Sequence, residues 1–197
     1  AYRSRLDDRI FGLSKTQVSN ALENADALVN LTGSTQLLEE HARVPVRIYI
    51  ETDPVLPQIE VAQGDRKRID LLSAHTHHFT YGENLGAPDC GVPVTRFKYL
   101  PIRQPIVLDW WTTDAQPGSA LNDRFKVRPY FTTIAKWRQP GKDIDWNGET
   151  YSWSKHVEFL KFIDLPRFSK QEFELALAWQ DEKDQQAIPQ LKSHGWR

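Results

Sequence analysis

Residues 27–51, ALVNLTGSTQLLEEHARVPVRIYIE, contain two apolar runs separated by a short helical pattern. The first run, 27–32, ends at Gly33 and Ser34, and the second, 45–50, ends at Glu51. Short apolar runs bounded by turn residues are typical of buried strands. Two such strands on either side of a helical segment favour a βαβ unit, so this stretch predicts a parallel α/β sheet.

The same alternation of strand-like and helix-like segments continues along the chain. Ser14 and Gln17 have the spacing of a capping box, which predicts a helix that begins after Ser14. The whole pattern predicts an α/β fold with mostly parallel, doubly wound, Rossmann-like sheets and flanking helices. Further strands are expected at 77–81, 105–109, 130–135 and 173–178, and further helices over 58–63, 66–73, 154–163 and 183–193.

Residues 112–127, TTDAQPGSALNDRFKV, are rich in turn-forming residues and predict a linker. The linker separates two expected parts of the chain, 1–120 and 126–197. A chain of 197 residues is long enough for one large domain or for two smaller ones.

Composition narrows the class of protein. Lys and Arg number 25 against 26 Asp and Glu, so the basic excess typical of nucleic-acid binders is missing and no nucleic-acid partner is expected. One cysteine excludes an internal disulfide framework and a multi-thiolate zinc site, which favours a reducing, cytoplasmic setting. No apolar run approaches ~18 residues, so no transmembrane segment is predicted.

Candidate ligand-contacting residues follow the predicted strands, because open parallel sheets bind ligands at the carboxyl ends of their strands. Glu51 and Asp53 offer carboxylates to a polar ligand, although Asp53 before Pro54 also suits a helix cap. The full set of substrate-binding candidates is Gly33, Ser34, Glu51, Glu83 and Asn84, with Asp53 assisting catalysis.

Three histidines lie in the segment that contains the predicted strand 77–81. In a strand, His75 and His77 share a face and His78 takes the other. His77 or His78 could serve as a general base, or His75 and His77 could ligate a metal with Asp53 or Glu51. The alternative is that these imidazoles pack in the core.

Two cationic residues lie near the start of the second predicted part. Arg138 follows the strand predicted at 130–135, and Lys155 opens the next helix. Together they suit a diphosphate, and the alternative, a solvated basic patch, is the simpler explanation.

Several strings resemble a group of bacterial glycosyltransferase-like proteins of the two-Rossmann-domain (GT-B) type. They are ADALVNLTGS, RVPVRIYIETDPVLPQIE, HTHHFTYGENLGAPDC, FTTIAKWRQPG and YSWSKHVEFLKFIDLP. The resemblance implies that 1–120 is the later part of an acceptor-side domain and that 126–197 begins a donor-side domain. It implies transfer of a sugar from a nucleotide-sugar donor, a small-molecule co-substrate, to an unknown acceptor, without a metal or another cofactor.

If the chain derives from a glycosyltransferase of this type, we expect the following roles for the candidate residues. His77 or His78 would be the general base, with Asp53 assisting it. Gly33 and Ser34 would line the acceptor side, and Arg138 and Lys155 would face the donor phosphates.

The sequence contains no methionine, which indicates a processed product or a central piece of a longer chain. Incomplete Rossmann-like halves would leave sheet edges uncovered, so self-association is predicted. Two other hypotheses stay open: a non-catalytic ligand-binding or assembly module, and a metal-dependent hydrolase that uses His75, His77 and His78.

Overall fold

The computed structural model describes residues 2–3, 7, 9–111, 130–178 and 182–197. The chain divides into unit 1, Ala1–Pro105, and unit 2, Ile106–Arg197. The predicted linker, 112–127, lies outside the described residues, and the division falls shortly before it.

Unit 1 is built on a four-stranded, fully parallel sheet, in which β3 (Ala27–Leu31), β4 (Val46–Glu51), β5 (His77–Thr80) and β6 (Tyr99–Pro101) lie in this order. The predicted strands at 27–32, 45–50 and 77–81 are confirmed as β3, β4 and β5. The strands β1 (Tyr2–Arg3) and β2 (Ile10–Phe11) form a separate antiparallel pair. The helices are α1 (Lys15–Glu23), α2 (Glu39–Ala42), α3 (Leu56–Ala62) and α4 (Arg66–Ser73).

The starts of two helices in unit 1 follow directly from the sequence. Ser14 and Gln17 form the predicted capping box: the Ser14 hydroxyl accepts from the Gln17 N–H, and the Gln17 side chain accepts from the Ser14 N–H. Asp65 caps α4 by accepting from the Arg68 N–H at 2.7 Å. These side chains satisfy N–H groups that would otherwise lack partners at the helix ends.

The consecutive strand order explains where the core of unit 1 lies. Right-handed crossovers between consecutive parallel strands all lie on the same face of the sheet. On that face Tyr49 packs against Val61 of α3 and against Ile69 and Leu72 of α4. On the other face Val29 is 57% exposed. The described strands therefore match one half of a Rossmann-like sheet, without the reversal in order that the doubly wound prediction required.

Unit 2 contains a second pair of parallel strands, β7 (Tyr130–Lys136) and β10 (Glu172–Ala178). A hairpin of β8 (Ile144–Trp146) and β9 (Glu149–Tyr151) turns at Asn147 and Gly148, both with positive φ, as the Asn-Gly pair predicts. The helices are α5 (Lys155–Leu160), α6 (Glu182–Gln185) and α7 (Ala187–Ser193).

Indole rings dominate the core of unit 2. Trp137 and Trp196 are buried together with Ile163 and Leu191. The indole N–H of Trp196 donates to the Ile163 carbonyl at 2.8 Å, so the ring is buried without an unpaired donor. Trp196 also forms a parallel bridge with Phe173 of β10, beside the strand pair.

Two predictions of secondary structure are wrong. Residues 105–109 form no strand, because Ile106 and Leu108 are 66% and 74% exposed and a 3-10 turn spans Leu108–Trp111. The fourth strand of the sheet is instead β6, whose Tyr99 pairs with His78. The helix predicted over 183–193 is two helices, α6 and α7, and Pro189 lies in the first turn of α7, where proline is tolerated.

Candidate functional site

The carboxyl ends of the parallel strands of unit 1 bring the predicted substrate-binding segments to one edge of the sheet. Beyond β3, the Thr32 N–H donates to the Ile50 carbonyl at 2.8 Å. Beyond β5, the Tyr81 N–H donates to the Glu51 carbonyl at 3.1 Å. The pairing therefore continues past the strand ends and holds the loops side by side. We call this the carboxyl edge.

Glu51, the last residue of β4, is a buried carboxylate at the centre of this edge. Its side chain is 1% exposed. One oxygen, Oε2, accepts from Gln58 Nε2 at 2.7 Å and from Thr80 Oγ1 at 2.9 Å. The other oxygen, Oε1, is buried and has no hydrogen-bond partner. Among the described residues no cation forms an ion pair with it.

Burial raises the pKa of the Glu51 carboxyl to about 7, against the hydrogen bonds from Gln58 and Thr80, which lower it. A buried carboxylate without a cation is costly, so the proton is retained to a higher pH than in water. Glu51 therefore changes protonation state near neutral pH. Perturbed carboxyl groups of this kind are more frequent at functional sites than elsewhere.

The loop between β4 and α3 contains a strained residue that sequence reasoning missed. Val55 has φ 92° and ψ −68°, which is a rare conformation for a β-branched side chain. Its N–H donates to Gln58 Oε1 at 2.7 Å. No feature of the local sequence PVLP announces this geometry, because it depends on where the Gln58 side chain is held.

Asp53 lies in the same loop, and its side chain is exposed. The sequence reading of Asp53 as a helix cap is wrong, because α3 begins at Leu56 and Val55 is the residue at its N-cap. The Asp53 carboxylate does not cap the helix and is exposed to solvent at the carboxyl edge.

Gly33 and Ser34 follow β3 at this edge, as predicted. Gly33 has φ 65°, and a Cβ there would lie 3.0 Å from the Tyr49 ring and 3.1 Å from Leu71. The glycine is therefore required by packing whether or not a ligand binds. The Ser34 hydroxyl donates to the Leu31 carbonyl at 3.1 Å.

Glu83 and Asn84 follow β5 and are both exposed. Glu83 accepts from Arg103 through both carboxylate oxygens, at 2.5 and 2.9 Å, and the guanidinium lowers the pKa of the Glu83 carboxyl. This pair links the loop after β5 to the segment after β6. Glu83 is thus engaged by a protein cation on the surface of the edge.

His78 and His75 are buried in the core of unit 1. The Nε2–H of His78 donates to the Leu72 carbonyl at 2.9 Å, and its ring packs 4.9 Å from that of Phe97. The Nδ1–H of His75 donates to the Leu71 carbonyl, while Nε2 accepts from Asn30 Nδ2 at 3.0 Å. Burial lowers the pKa of both imidazoles, which are therefore held neutral. This geometry favours packing roles for both.

His77 is exposed, and it is the first residue of β5. It therefore lies at the amino end of the strand, about 10 Å from the carboxyl edge at ~3.3 Å per residue.

The predicted arrangement of the three histidines on the two faces of one strand is wrong. His75 precedes the strand, and its ring lies near that of His78, with centroids 6.4 Å apart. The catalytic roles of His77 and His78 stay predictions. Within the described ranges, no three His, Cys, Asp or Glu side chains converge as a metal site.

Arg138 and Lys155 lie near the carboxyl end of β7 in unit 2. Arg138 is partly exposed, and its Nε lies 3.3 Å from Oδ1 of the buried Asp184. Lys155 is exposed at the first position of α5. Between them, Ser154 Oγ accepts from the Gln139 N–H at 2.9 Å and ties the start of α5 to the segment after β7.

Comparisons with protein-family models, curated proteins and solved structures found no match to this chain. None of the helices in the described part of the chain is long and apolar enough to cross a bilayer. The site is therefore characterised by its own geometry: polar side chains and backbone at the carboxyl edge of a parallel, Rossmann-like sheet, around one buried carboxylate.

Proposed function

We propose that unit 1 binds a polyhydroxylated ligand at the carboxyl edge, as the acceptor side of a glycosyltransferase. The observation that carries the proposal is the meeting of three polar loops, after β3, β4 and β5, around the buried Glu51. Carboxylates and backbone groups are the partners that sugar hydroxyls need. The resemblance to GT-B glycosyltransferase-like proteins supplies the reaction class.

The proposed reaction moves a sugar from a nucleotide diphosphate to the acceptor. An acceptor hydroxyl loses its proton as its oxygen forms a bond to the anomeric carbon. The bond from that carbon to the diphosphate oxygen breaks, and the nucleoside diphosphate leaves with the electron pair. A base near the hydroxyl and cations near the diphosphate therefore lower the barrier.

Asp53 is better placed for the base than either histidine. Its carboxylate is exposed in the loop after β4, at the carboxyl edge. His78 donates its Nε2–H to a core carbonyl, and His77 lies at the opposite end of β5. We therefore propose Asp53 as the first candidate for orienting or deprotonating the acceptor, and keep His77 and His78 as the second.

In unit 2, we propose that Arg138 and Lys155 contact the donor diphosphate. Support comes from their position at the carboxyl end of β7, where parallel sheets gather ligand contacts. Arg138 lies in an ion pair with Asp184, and this contact would keep the guanidinium near the end of β7. Lys155 is exposed at the first position of α5 and would add a mobile point charge.

A non-catalytic binding module is the second candidate function. The observation in its favour is that His75 and His78 are both hydrogen-bonded to backbone carbonyls in the core. Such a module would bind the sugar-like ligand at the carboxyl edge and leave any donor untouched.

The test incubates the full chain with UDP-glucose, UDP-N-acetylglucosamine or GDP-mannose, together with a mixture of mono- and disaccharides as acceptors. It measures donor binding by saturation-transfer NMR and sugar transfer by the release of nucleoside diphosphate. We expect Lys155→Gln to weaken donor binding about tenfold, while Lys170→Gln, an equal loss of exposed charge, leaves binding unchanged. Asp53→Asn should slow release ~10²–10⁴-fold, while Asp26→Asn, before β3, should not. Donor binding without any release would favour the binding module. Failure of all three donors to bind would contradict the donor role of unit 2.

A further inference from the structure

Two loops of the carboxyl edge are connected through the same oxygen atom of Glu51. On the β5 side, the Gly82 N–H donates to Thr80 Oγ1 at 3.0 Å, and the Thr80 hydroxyl donates to Glu51 Oε2 at 2.9 Å. Thr80 is 1% exposed, so no solvent competes for its hydroxyl. The backbone of the β5 loop is therefore bonded to Glu51 through one side chain.

The β4 loop is connected to the same oxygen by a parallel route. The Val55 N–H donates to Gln58 Oε1 at 2.7 Å, and Gln58 Nε2 donates to Glu51 Oε2 at 2.7 Å. Gln58 is 2% exposed. This bond holds Val55 at φ 92°, a backbone conformation that persists only where neighbouring groups impose it.

The two loops also touch each other directly. A Cβ at Gly82 would lie 3.1 Å from Cβ of Pro54 and 3.0 Å from Cγ of Leu85. Glycine at this position therefore lets the β5 loop pack against the β4 loop. The two loops therefore lie side by side, while each is hydrogen-bonded to Glu51 by its own route.

We propose that Glu51 is a positioning residue that couples the β4 loop, 52–55, to the β5 loop, 81–83, through a network of Val55, Gln58, Glu51, Thr80 and Gly82. The proposal rests on the proposed function in one respect, namely that these loops face the ligand. Because Oε2 accepts from both sides, a change in its charge strengthens or weakens both routes at once. A proton gained or lost by Glu51 therefore moves both loops together.

Other charged groups near Glu51 do not offer the same connection. Arg68 is paired with Glu60 at 2.6 Å, and Asp53 is exposed. The titratable or charged groups near Glu51 are Tyr49, Asp53, Glu60, Arg68 and Tyr99. The elements packed against it also carry Arg47 on β4, His77 and His78 on β5, and Arg66, Lys67 and Asp70 on α4. None of them is a member of the network.

The test follows the amide NMR signals of Val55 and Gly82 in the full chain from pH 5 to pH 9. We expect both signals to shift with one shared midpoint near pH 7. Glu51→Gln should abolish both shifts, and Glu60→Gln should leave both in place. Different midpoints for the two amides, or shifts that survive in Glu51→Gln, would overturn the proposal.

Single routes can be cut separately, which keeps the test decisive if Glu51→Gln fails to fold. Thr80→Val should remove the titration of the Gly82 amide and spare that of Val55. Gln58→Met should do the reverse. Loss of both titrations in either variant would contradict two independent routes. These readouts need no ligand, so they stand even if none of the three nucleotide sugars binds.

Discussion

Unit 1 and unit 2 both pack helices against parallel strands, but different side chains fill their cores. Beside its apolar cluster, unit 1 buries polar groups that hydrogen-bond to one another or to the backbone. These are Asn30, Glu51, Gln58, His75, His78 and Thr80. Unit 2 is built around the indoles of Trp137 and Trp196 with Ile163 and Leu191. Buried polar networks depend on charge state and geometry, whereas aromatic burial depends on area and shape.

The sequence itself supplies separate probes for the two units. All seven tryptophans lie after residue 105, so indole fluorescence reports on unit 2. The one cysteine, Cys90, is half-buried in unit 1, so its rate of reaction with a thiol reagent reports on the opening of unit 1. The stability of each unit can thus be measured within the full chain.

The largest loss in the free energy of unfolding is expected in unit 2, from Trp137→Ala. Trp137 is 2% exposed, and its ring lies 5.5 Å from that of Phe159. Removal of a buried indole leaves a cavity that costs about 3–5 kcal/mol, enough to unfold a marginally stable unit. Urea unfolding followed by the fluorescence of the remaining tryptophans should show this loss.

A matched control removes an exposed indole from the same unit. Trp110 is 84% exposed, so Trp110→Ala should change the free energy of unfolding by less than about 0.5 kcal/mol. In both variants the labelling rate of Cys90 should stay at the wild-type value. Faster labelling in Trp137→Ala would break the comparison, because it would mean that the units unfold together.

The strands of unit 1 show which parts of the fold could be predicted from the sequence and which could not. The strands at 27–31 and 46–51 were predictable, because apolar runs bounded by turn residues are typical of buried parallel strands. The strand at 77–80, HHFT, was predicted as a short segment that ends before Gly82. The run at 105–109 misled because its residues are exposed, while the true fourth strand, Tyr99–Pro101, is only three residues long and contains a proline.

The candidate site was predictable only in its location. Following the strand ends led to Glu51 and Gly33, but local sequence cannot reveal that Glu51 is buried or that Tyr49 closes over Gly33. The network depends on register: Glu51 lies opposite Thr80, which is 29 residues away in sequence. Alternation likewise failed for the histidines, because the strand begins at His77 and not at His75.

The second prediction concerns the dependence of unit 1 on pH. The folded state raises the pKa of Glu51 from the ordinary value of 4.5 to about 7, so between these values the folded state holds a proton that the unfolded state has lost. The contribution of Glu51 to stability is therefore present below about pH 4.5 and is lost as pH rises through 7. At ~1.4 kcal/mol per unit of pKa, the loss is about 3 kcal/mol.

Glu51→Gln removes this dependence and should make Cys90 labelling less sensitive to pH between 5 and 8. Urea titrations at each pH, with labelling as the readout, give the free energy of unit 1. Fluorescence of unit 2 in the same samples is the internal control, and it should not respond to the substitution. An unchanged pH profile in Glu51→Gln would refute the assignment of the neutral-pH transition to this carboxyl.

The smallest change in the stability of unit 1 is expected from His78→Gln, and it tests one side chain against its exposed neighbour. Burial lowers the pKa of His78 below 6.5, so the unfolded state binds the proton more readily and stability is lost as pH falls below that value. This trend opposes that of Glu51 over the same range. A glutamine amide can still donate to the Leu72 carbonyl, so the cost at pH 8 should be about 1 kcal/mol, mainly from lost ring contacts with Phe97. Below pH 6 the variant should lose less stability than the wild type on further acidification.

His77→Gln, which changes an exposed imidazole one residue away, is the control, and it should leave the acid limb of the Cys90 labelling profile unaltered. If His77→Gln changes that limb and His78→Gln does not, then the exposed ring is the one that governs unit 1, and the polar core is not the source of its acid sensitivity.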